Sequence, residues 1–283
     1  MGDLFSNQTE IPWLNSYATS WNKIIQNNKT PHAILISGNR GIGKRSFAAW
    51  LATEHLDITT KYESCIYPFA VPSHADLKWI SPNEGKRDIS VDQIRQIIDD
   101  LTMSSYEGIG KVTVIEPVYK MNISSANSLL KILEEPPGNT LIILIADKMK
   151  NIPATIISRC QHIKIYPPND DESREFINHI HPDTNIAKID PYILVSPLIY
   201  EEQNNHSQNI ESIINDLMSM LNKKNSPLDI AARLSVEEVE IFLDWFSYFV
   251  YSLLRNAYRV NKEQSKFEEI LNKLDICLSL IHI

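Results

Sequence analysis

Seven consecutive residues, Gly38-Asn39-Arg40-Gly41-Ile42-Gly43-Lys44, have the types and spacing of a phosphate-binding loop, G-x-x-x-x-G-K. Glycines at 38, 41 and 43 let backbone N–H groups approach phosphate oxygens. The start of a helix adds partial positive charge, and Lys44 reaches toward the β and γ phosphates. The next position ordinarily supplies a Ser or Thr hydroxyl to Mg²⁺, yet here it is Arg45. Ser46 comes one residue late, and on a helix of about 3.6 residues per turn that turns its hydroxyl ~100° away. The magnesium ligand is missing from its place.

Two further positions bear on hydrolysis. Glu116 closes the run Val112-Thr113-Val114-Ile115 and can hold a metal-bound water. Pro117 follows, where a hydrolysing site keeps a carboxylate to orient the attacking water, and a proline ring offers no acceptor. After the next apolar run, Ala146-Asp147 provides neither Asn nor Thr to sense a γ-phosphate; Asp147 is the polar group there. With three hydrolytic positions altered together, a pocket that binds nucleotide without splitting it is the expectation. A glycine-rich turn that only caps a helix is the competing reading. Ser158-Arg159-Cys160 is too short to carry chemistry by itself, and an arginine so placed is commonly structural.

These residues need elements to position them. Short apolar runs at His32–Ser37, Leu77–Ser81, Lys111–Glu116, Thr140–Ala146 and His162–Ile165 read as buried parallel strands. Apolar residues at three and four spacing predict helices at Lys44–His55, Val91–Met103 and Ser124–Leu133, the last stopped by Pro136-Pro137-Gly138. Alternating strands and helices mean an α/β domain with helices on both faces of a parallel sheet.

Beyond Tyr166 the chain reads as helical. Pro167-Pro168-Asn169 marks a boundary, two short helices are expected at Asp170–His181 and Thr184–Val195, and the polar stretch Glu201–Gln208 reads as a linker. Three or four more helices follow from Asn209. The most apolar, Val236–Tyr258, is apolar nearly all round and packs either against other subunits or in the core of its own bundle.

Composition excludes several classes. A chain of 283 residues with 43% hydrophobic and 22% charged residues is folded and multidomain rather than fibrous or disordered. Its net charge of −8 argues against bare nucleic acid as the main partner. The exposed-looking pair Lys86-Arg87 is better explained as solvated surface than as a DNA contact. Cys65, Cys160 and Cys277, odd in number and far apart, fit a reducing, cytoplasmic setting. The start of the chain has no basic, apolar leader. The longest apolar stretch, Ile241–Leu254, is interrupted by Asp244 and falls short of the ~20 residues that cross a bilayer, so no membrane association is expected.

The order of these blocks resembles a known family. It runs from Gly38–Lys44 through Ser73-His74-Ala75-Asp76-Leu77, Ile89–Arg95, Met121-Asn122, Ala126–Pro137 with its Leu129-Leu130-Lys131-Ile132-Leu133-Glu134-Glu135 core, to Ser158-Arg159-Cys160-Gln161. Together these resemble bacterial clamp-loader subunits of the AAA+ class, and Glu116-Pro117 is similar to the delta-prime type of DNA polymerase III rather than to the motor type. The likeness covers about residues 31–165 well, the following segment thinly, and the C-terminal helices only by position.

What the resemblance implies is an AAA+ nucleotide-binding-like domain over residues 1–166, a helical lid over 167–207 and a helical collar over 208–283 that closes a hetero-pentameric ring, cut short relative to the family. Its partners would be the motor subunits and the delta subunit, with the sliding clamp engaged indirectly and primed DNA held within the complex. Arg159 would be an arginine finger acting in trans on a neighbour's ATP site. Gly38, Gly41, Gly43, Lys44, Arg45 and Glu116 would line a pocket for ATP or ADP, with no ATPase activity of its own.

Two features depart from the family. Its four-cysteine zinc module is reduced to Cys65 within Thr59–His74, so no zinc is expected, because a structural site needs four ligands. The lid segment Leu194–Leu198 lacks the arginine that touches nucleotide in related ATPases. An active motor-type AAA+ ATPase and a nucleotide-sensing regulatory protein outside replication stay open as alternatives.

Overall fold

The computed structural model describes residues 8–27, 30–58, 64–185, 189 and 191–200. They fall into two compact units: Met1–Ile186 with Val195–Leu198, and Ala187–Leu194 with the chain from Ile199 onward. The expected linker and collar helices lie outside the described residues.

The first unit is built on five parallel strands: β2 (Ala33–Ser37), β4 (Leu77–Ile80), β5 (Lys111–Ile115), β6 (Thr140–Ala146) and β7 (Gln161–Lys164), in the order β4-β5-β6-β2-β7. A small antiparallel pair, β1 (Thr9–Glu10) with β3 (Ile66–Tyr67), stands apart from it. Every residue of β2, β5 and β6 is buried, as the unbroken apolar runs require of strands covered on both faces. The edge strands β4 and β7 are only partly buried.

Period-two alternation splits the core. Ile34 and Ile36 of β2 face one side, where they meet Phe47, Trp50 and Leu51 of α2 (Lys44–His55) and Trp21 of α1 (Asn15–Gln26). Ala33 and Leu35 face the other, with Ile94, Ile97 and Leu101 of α3 (Val91–Thr102) and Leu129, Ile132 and Leu133 of α4 (Ile123–Glu134). Each fully buried Leu, Ile or Phe contributes about 1.5–3 kcal/mol.

Polar residues set the helix boundaries. Ser90 and Gln93 form a capping box on α3, Asn122 accepts from the Ser125 N–H on α4, and Asn169 with Glu172 boxes α6 (Asp170–Ile180). Helix α2 is different: Gly43 precedes it in a left-handed conformation, and no side chain caps it. Its first-turn N–H groups therefore receive no cap from the residue before them.

Three helices differ from expectation. The helix predicted over Thr184–Val195 is represented among the described residues by α7 (Pro191–Leu194), with Thr184 and Asn185 non-helical. Proline has no N–H and suits a first turn, so Pro191 begins a helix rather than continuing one. Helix α1 is additional, and so is α5 (Ala154–Ile157), a single turn before β7. Among the described residues no helix is long and apolar enough to cross a membrane.

Candidate nucleotide site and a separate arginine

The glycine loop leaves the C-terminal end of β2, an interior strand between β6 and β7, from which the chain moves to β4 at the far edge before returning to β7 on the other side. Parallel α/β sheets bind ligands at such carboxyl-edge crossings. The loop is held on both flanks. The Gly38 N–H donates to the Ala146 carbonyl at 3.3 Å, and the Ile165 N–H donates to the Ser37 carbonyl at 2.8 Å. From outside, Trp13 Nε1 donates to the Ile42 carbonyl at 2.9 Å and the Leu198 N–H donates to the Gly41 carbonyl at 3.1 Å. Gly43 has φ +93°, and a Cβ there would meet Leu14 Cδ1 at 2.8 Å, so only glycine fits.

Lys44 is 5% exposed and makes two contacts, Nζ to the Asn39 carbonyl at 2.5 Å and Nζ to Asp147 Oδ1 at 2.5 Å. Burial pulls its ammonium below the ordinary lysine range, while Asp147 and, more weakly, Glu116 pull it back up. A phosphate at the loop would act in the same direction as Asp147. The glycines, the uncapped helix and Lys44 together fit a polyphosphate.

For Mg²⁺ the donor set does not fit. A magnesium ion needs oxygen ligands, and Arg45 has only donors. Its Nε–H donates to Glu116 Oε1 at 2.6 Å, and Trp79 Nε1 donates to Glu116 Oε2 at 3.3 Å, so both oxygens of the buried carboxylate are engaged. The Arg45 guanidinium also lies 5.9 Å from the centroid of the Phe69 ring. Ser46 is buried within α2.

Thus Gly38, Gly41, Gly43, Lys44, Arg45 and Glu116 come together at one edge of the sheet. Arg159 does not join them. It lies between α5 and β7, two residues before Gln161, which is level with Ile34 of β2, whereas the loop begins after Ser37. Because the strands are parallel, Arg159 lies at the amino edge and the loop at the carboxyl edge, separated along the strands by on the order of 15 Å. Its side chain is 34% exposed. Arg159 Nε donates to Glu134 Oε1 at 2.8 Å, Nη2 approaches the same oxygen at 2.5 Å, and Nη1 donates to the Thr155 carbonyl at 2.9 Å.

Two cysteines are among the described residues, Cys65 and, next to Arg159, Cys160. Cys65 is fully buried and its carbonyl accepts the Ile11 N–H at 2.8 Å; Cys160 is half-buried against the α4 side of the core rather than sealed within it. Burial pushes both thiols up to about 12. Lys86 and Arg87 are exposed. Sequence reasoning missed Trp79, Phe69 and Glu134. The pairing of Arg45 with Glu116 was signalled only by the coincidence of a misplaced cation and an acid in two halves of one motif.

Residues 14–169 match the family described as DNA polymerase III, delta subunit. The chain is 27% identical over 258 residues to DNA polymerase III subunit delta' of Pseudomonas aeruginosa, covering 86% of this chain and 77% of that protein. It is 31% identical over 171 residues to subunit delta' of Haemophilus influenzae, covering 59% and 52%. Among solved structures it is similar to a DNA polymerase III gamma subunit-related protein of Thermotoga maritima at 20% identity and a TM-score of 0.44, with 92% and 91% covered.

Proposed function

Because the chain belongs to the DNA polymerase III delta-subunit family, with relatives named delta' matching most of its length, we propose that it is the delta-prime-like, non-motor subunit of a clamp loader. It helps place the sliding clamp on primed DNA without splitting nucleotide itself. In this reading it joins the motor subunits and the delta subunit in a hetero-pentameric ring, meeting the clamp indirectly. The ring is held by the C-terminal helices, with the domains divided near residues 166 and 207. The setting is the cytoplasm.

One observation carries the division of labour. Arg159 stands at the sheet edge opposite the chain's own glycine loop, partly exposed, where a guanidinium cannot serve its own phosphates. A planar, always-charged group offered to a neighbour stabilises the charge that develops on a transferring γ-phosphoryl group. At the other edge, Pro117 supplies no acceptor for an attacking water, and ATP or ADP held at Lys44 would remain intact.

The test is a reconstituted loader assayed for DNA- and clamp-dependent ATP turnover. Arg159→Ala is expected to leave assembly intact and to remove turnover at one neighbouring site, with Arg159→Lys failing to restore it. An unchanged rate overturns the finger role. Steady ATP turnover by the isolated chain, abolished by Lys44→Ala, would instead favour the motor-type reading.

A further inference from the structure

The guanidinium of Arg45 stands where the metal of a phosphate-binding loop belongs, and we infer that it takes the metal's part, so that this pocket holds a nucleoside di- or triphosphate without a divalent cation. The inference rests on the nucleotide-binding reading above and specifies it. In an ordinary loop of this kind Mg²⁺ bridges two things: an acid at the end of a neighbouring strand and the phosphate oxygens, through the hydroxyl that follows the lysine. Here the residue following the lysine is Arg45, and the acid is Glu116 at the end of β5. The bridge to the acid is already made, Nε to Oε1 at 2.6 Å, with Trp79 on the second oxygen.

A guanidinium has five N–H donors, and Glu116 uses the one on Nε. The two Nη groups have no partner among the described residues, and the side chain is 59% exposed on the loop side of the sheet, where α2 begins. One edge of the fork is therefore fixed on the carboxylate and the other is open to a second anion. Two such charge-assisted contacts are how arginine recognises phosphate. The phosphates gain a second cation besides Lys44, which Asp147 already neutralises. Mg²⁺ gains little: both oxygens of Glu116 are engaged by Arg45 and Trp79, and the ion would have to share the space with a fixed positive charge.

The experiment is equilibrium dialysis of the full-length chain against labelled ADP and ATP, once with excess Mg²⁺ and once with EDTA. Binding that differs by less than about twofold between the two supports the inference. In Arg45→Ser, affinity in EDTA should fall by roughly tenfold or more, the worth of a charge-assisted contact, and Mg²⁺ should recover part of it. A second readout does not depend on the variant: Mn²⁺ added to the native chain with ADP should give the electron paramagnetic resonance signal of Mn²⁺ with ADP alone. Native binding that is tenfold tighter with Mg²⁺, or a protein-bound Mn²⁺ signal, overturns the metal-free mode and leaves the nucleotide pocket standing. Absence of binding in both buffers overturns the nucleotide pocket itself and this inference with it.

Discussion

The two edges of the sheet carry the same kinds of charge and arrange them oppositely. At the carboxyl edge, each ion pair has one buried member: Lys44 pairs with the partly exposed Asp147, and the exposed Arg45 leans on the buried Glu116. At the amino edge, Arg159 and Glu134 are both substantially exposed. Buried charge that is fully paired is costly to rearrange, whereas exposed charge re-pairs at small cost. The difference separates pairs anchored on a buried member from a pair exposed on both sides, whose cation another chain can recruit.

The largest test of that contrast is functional. Within a reconstituted loader, Arg159→Ala should lower turnover at the adjacent ATP site by about 10³-fold or more, as loss of a trans arginine does elsewhere. Lys44→Ala, at the opposite edge, should change that turnover by less than about twofold while removing nucleotide retention by this subunit. Single-turnover assays with each variant separate the two. Equal losses would erase the distinction between the edges.

The cysteines offer a chemical version. With both thiols pushed up to about 12 by burial, alkylation at about pH 8 should run about 10³-fold slower than for a free cysteine, because only the thiolate reacts. Reactivity should rise as pH climbs toward 12. Cys160, half-buried beside Arg159, should respond first, while fully buried Cys65 should wait for unfolding. Peptide mass spectrometry after iodoacetamide treatment reads both. Cys65 reacting ahead of Cys160 would mean that the interior opens more readily than the amino edge.

Glycine substitutions probe rigidity in the same pairwise way. Gly43→Ala places a Cβ at 2.8 Å from Leu14 Cδ1 on a backbone with φ +93°, and should cost about 2–4 kcal/mol. Gly138→Ala, next to β6 at the amino edge, has φ +55° and nothing within 4 Å of the added carbon, and should cost about 1–2 kcal/mol. Urea unfolding of both variants gives the difference directly.

What the amino-acid sequence disclosed follows the range of the forces involved. The central strands were legible because burial on both faces demands unbroken runs such as Ile34-Leu35-Ile36 and Leu141–Ile145. Helix α3 was legible from its apolar spacing and α6 from the Pro167-Pro168-Asn169 break before it, while the capping pairs Ser90/Gln93 and Asn169/Glu172 emerged only with the structure. Helix α1 went unread: Tyr17, Trp21 and Ile24 are suitably spaced, but no polar cap marks its start. Pro191 interrupted a run of apolar residues that otherwise looked continuous. Site residues were legible as motif positions, but their pairings were not. Arg45 and Glu116 are 71 residues apart and Arg159 and Glu134 are 25 apart, so what joins each pair is topology, not periodicity.

The smallest expected effect sharpens the comparison most directly, since it concerns the acids rather than the cations. Glu134→Gln removes the charge from a carboxylate that is 51% exposed, and exposed pairs contribute under ~1 kcal/mol. Raised salt should shrink even that, because the Debye length falls to about 3 Å at molar ionic strength. Glu116→Gln alters a group at 8% exposure whose two oxygens serve Arg45 and Trp79, so one acceptor is exchanged for a donor facing a donor. That mismatch should cost about 1–3 kcal/mol and resist salt, because the altered side chain at position 116 is itself buried. Paired urea titrations at low and high salt measure both quantities. If Glu116→Gln proves as mild and as salt-sensitive as Glu134→Gln, burial of Glu116 gives the Arg45 pair no anchor that the Arg159 pair lacks, and the contrast between the two edges fails.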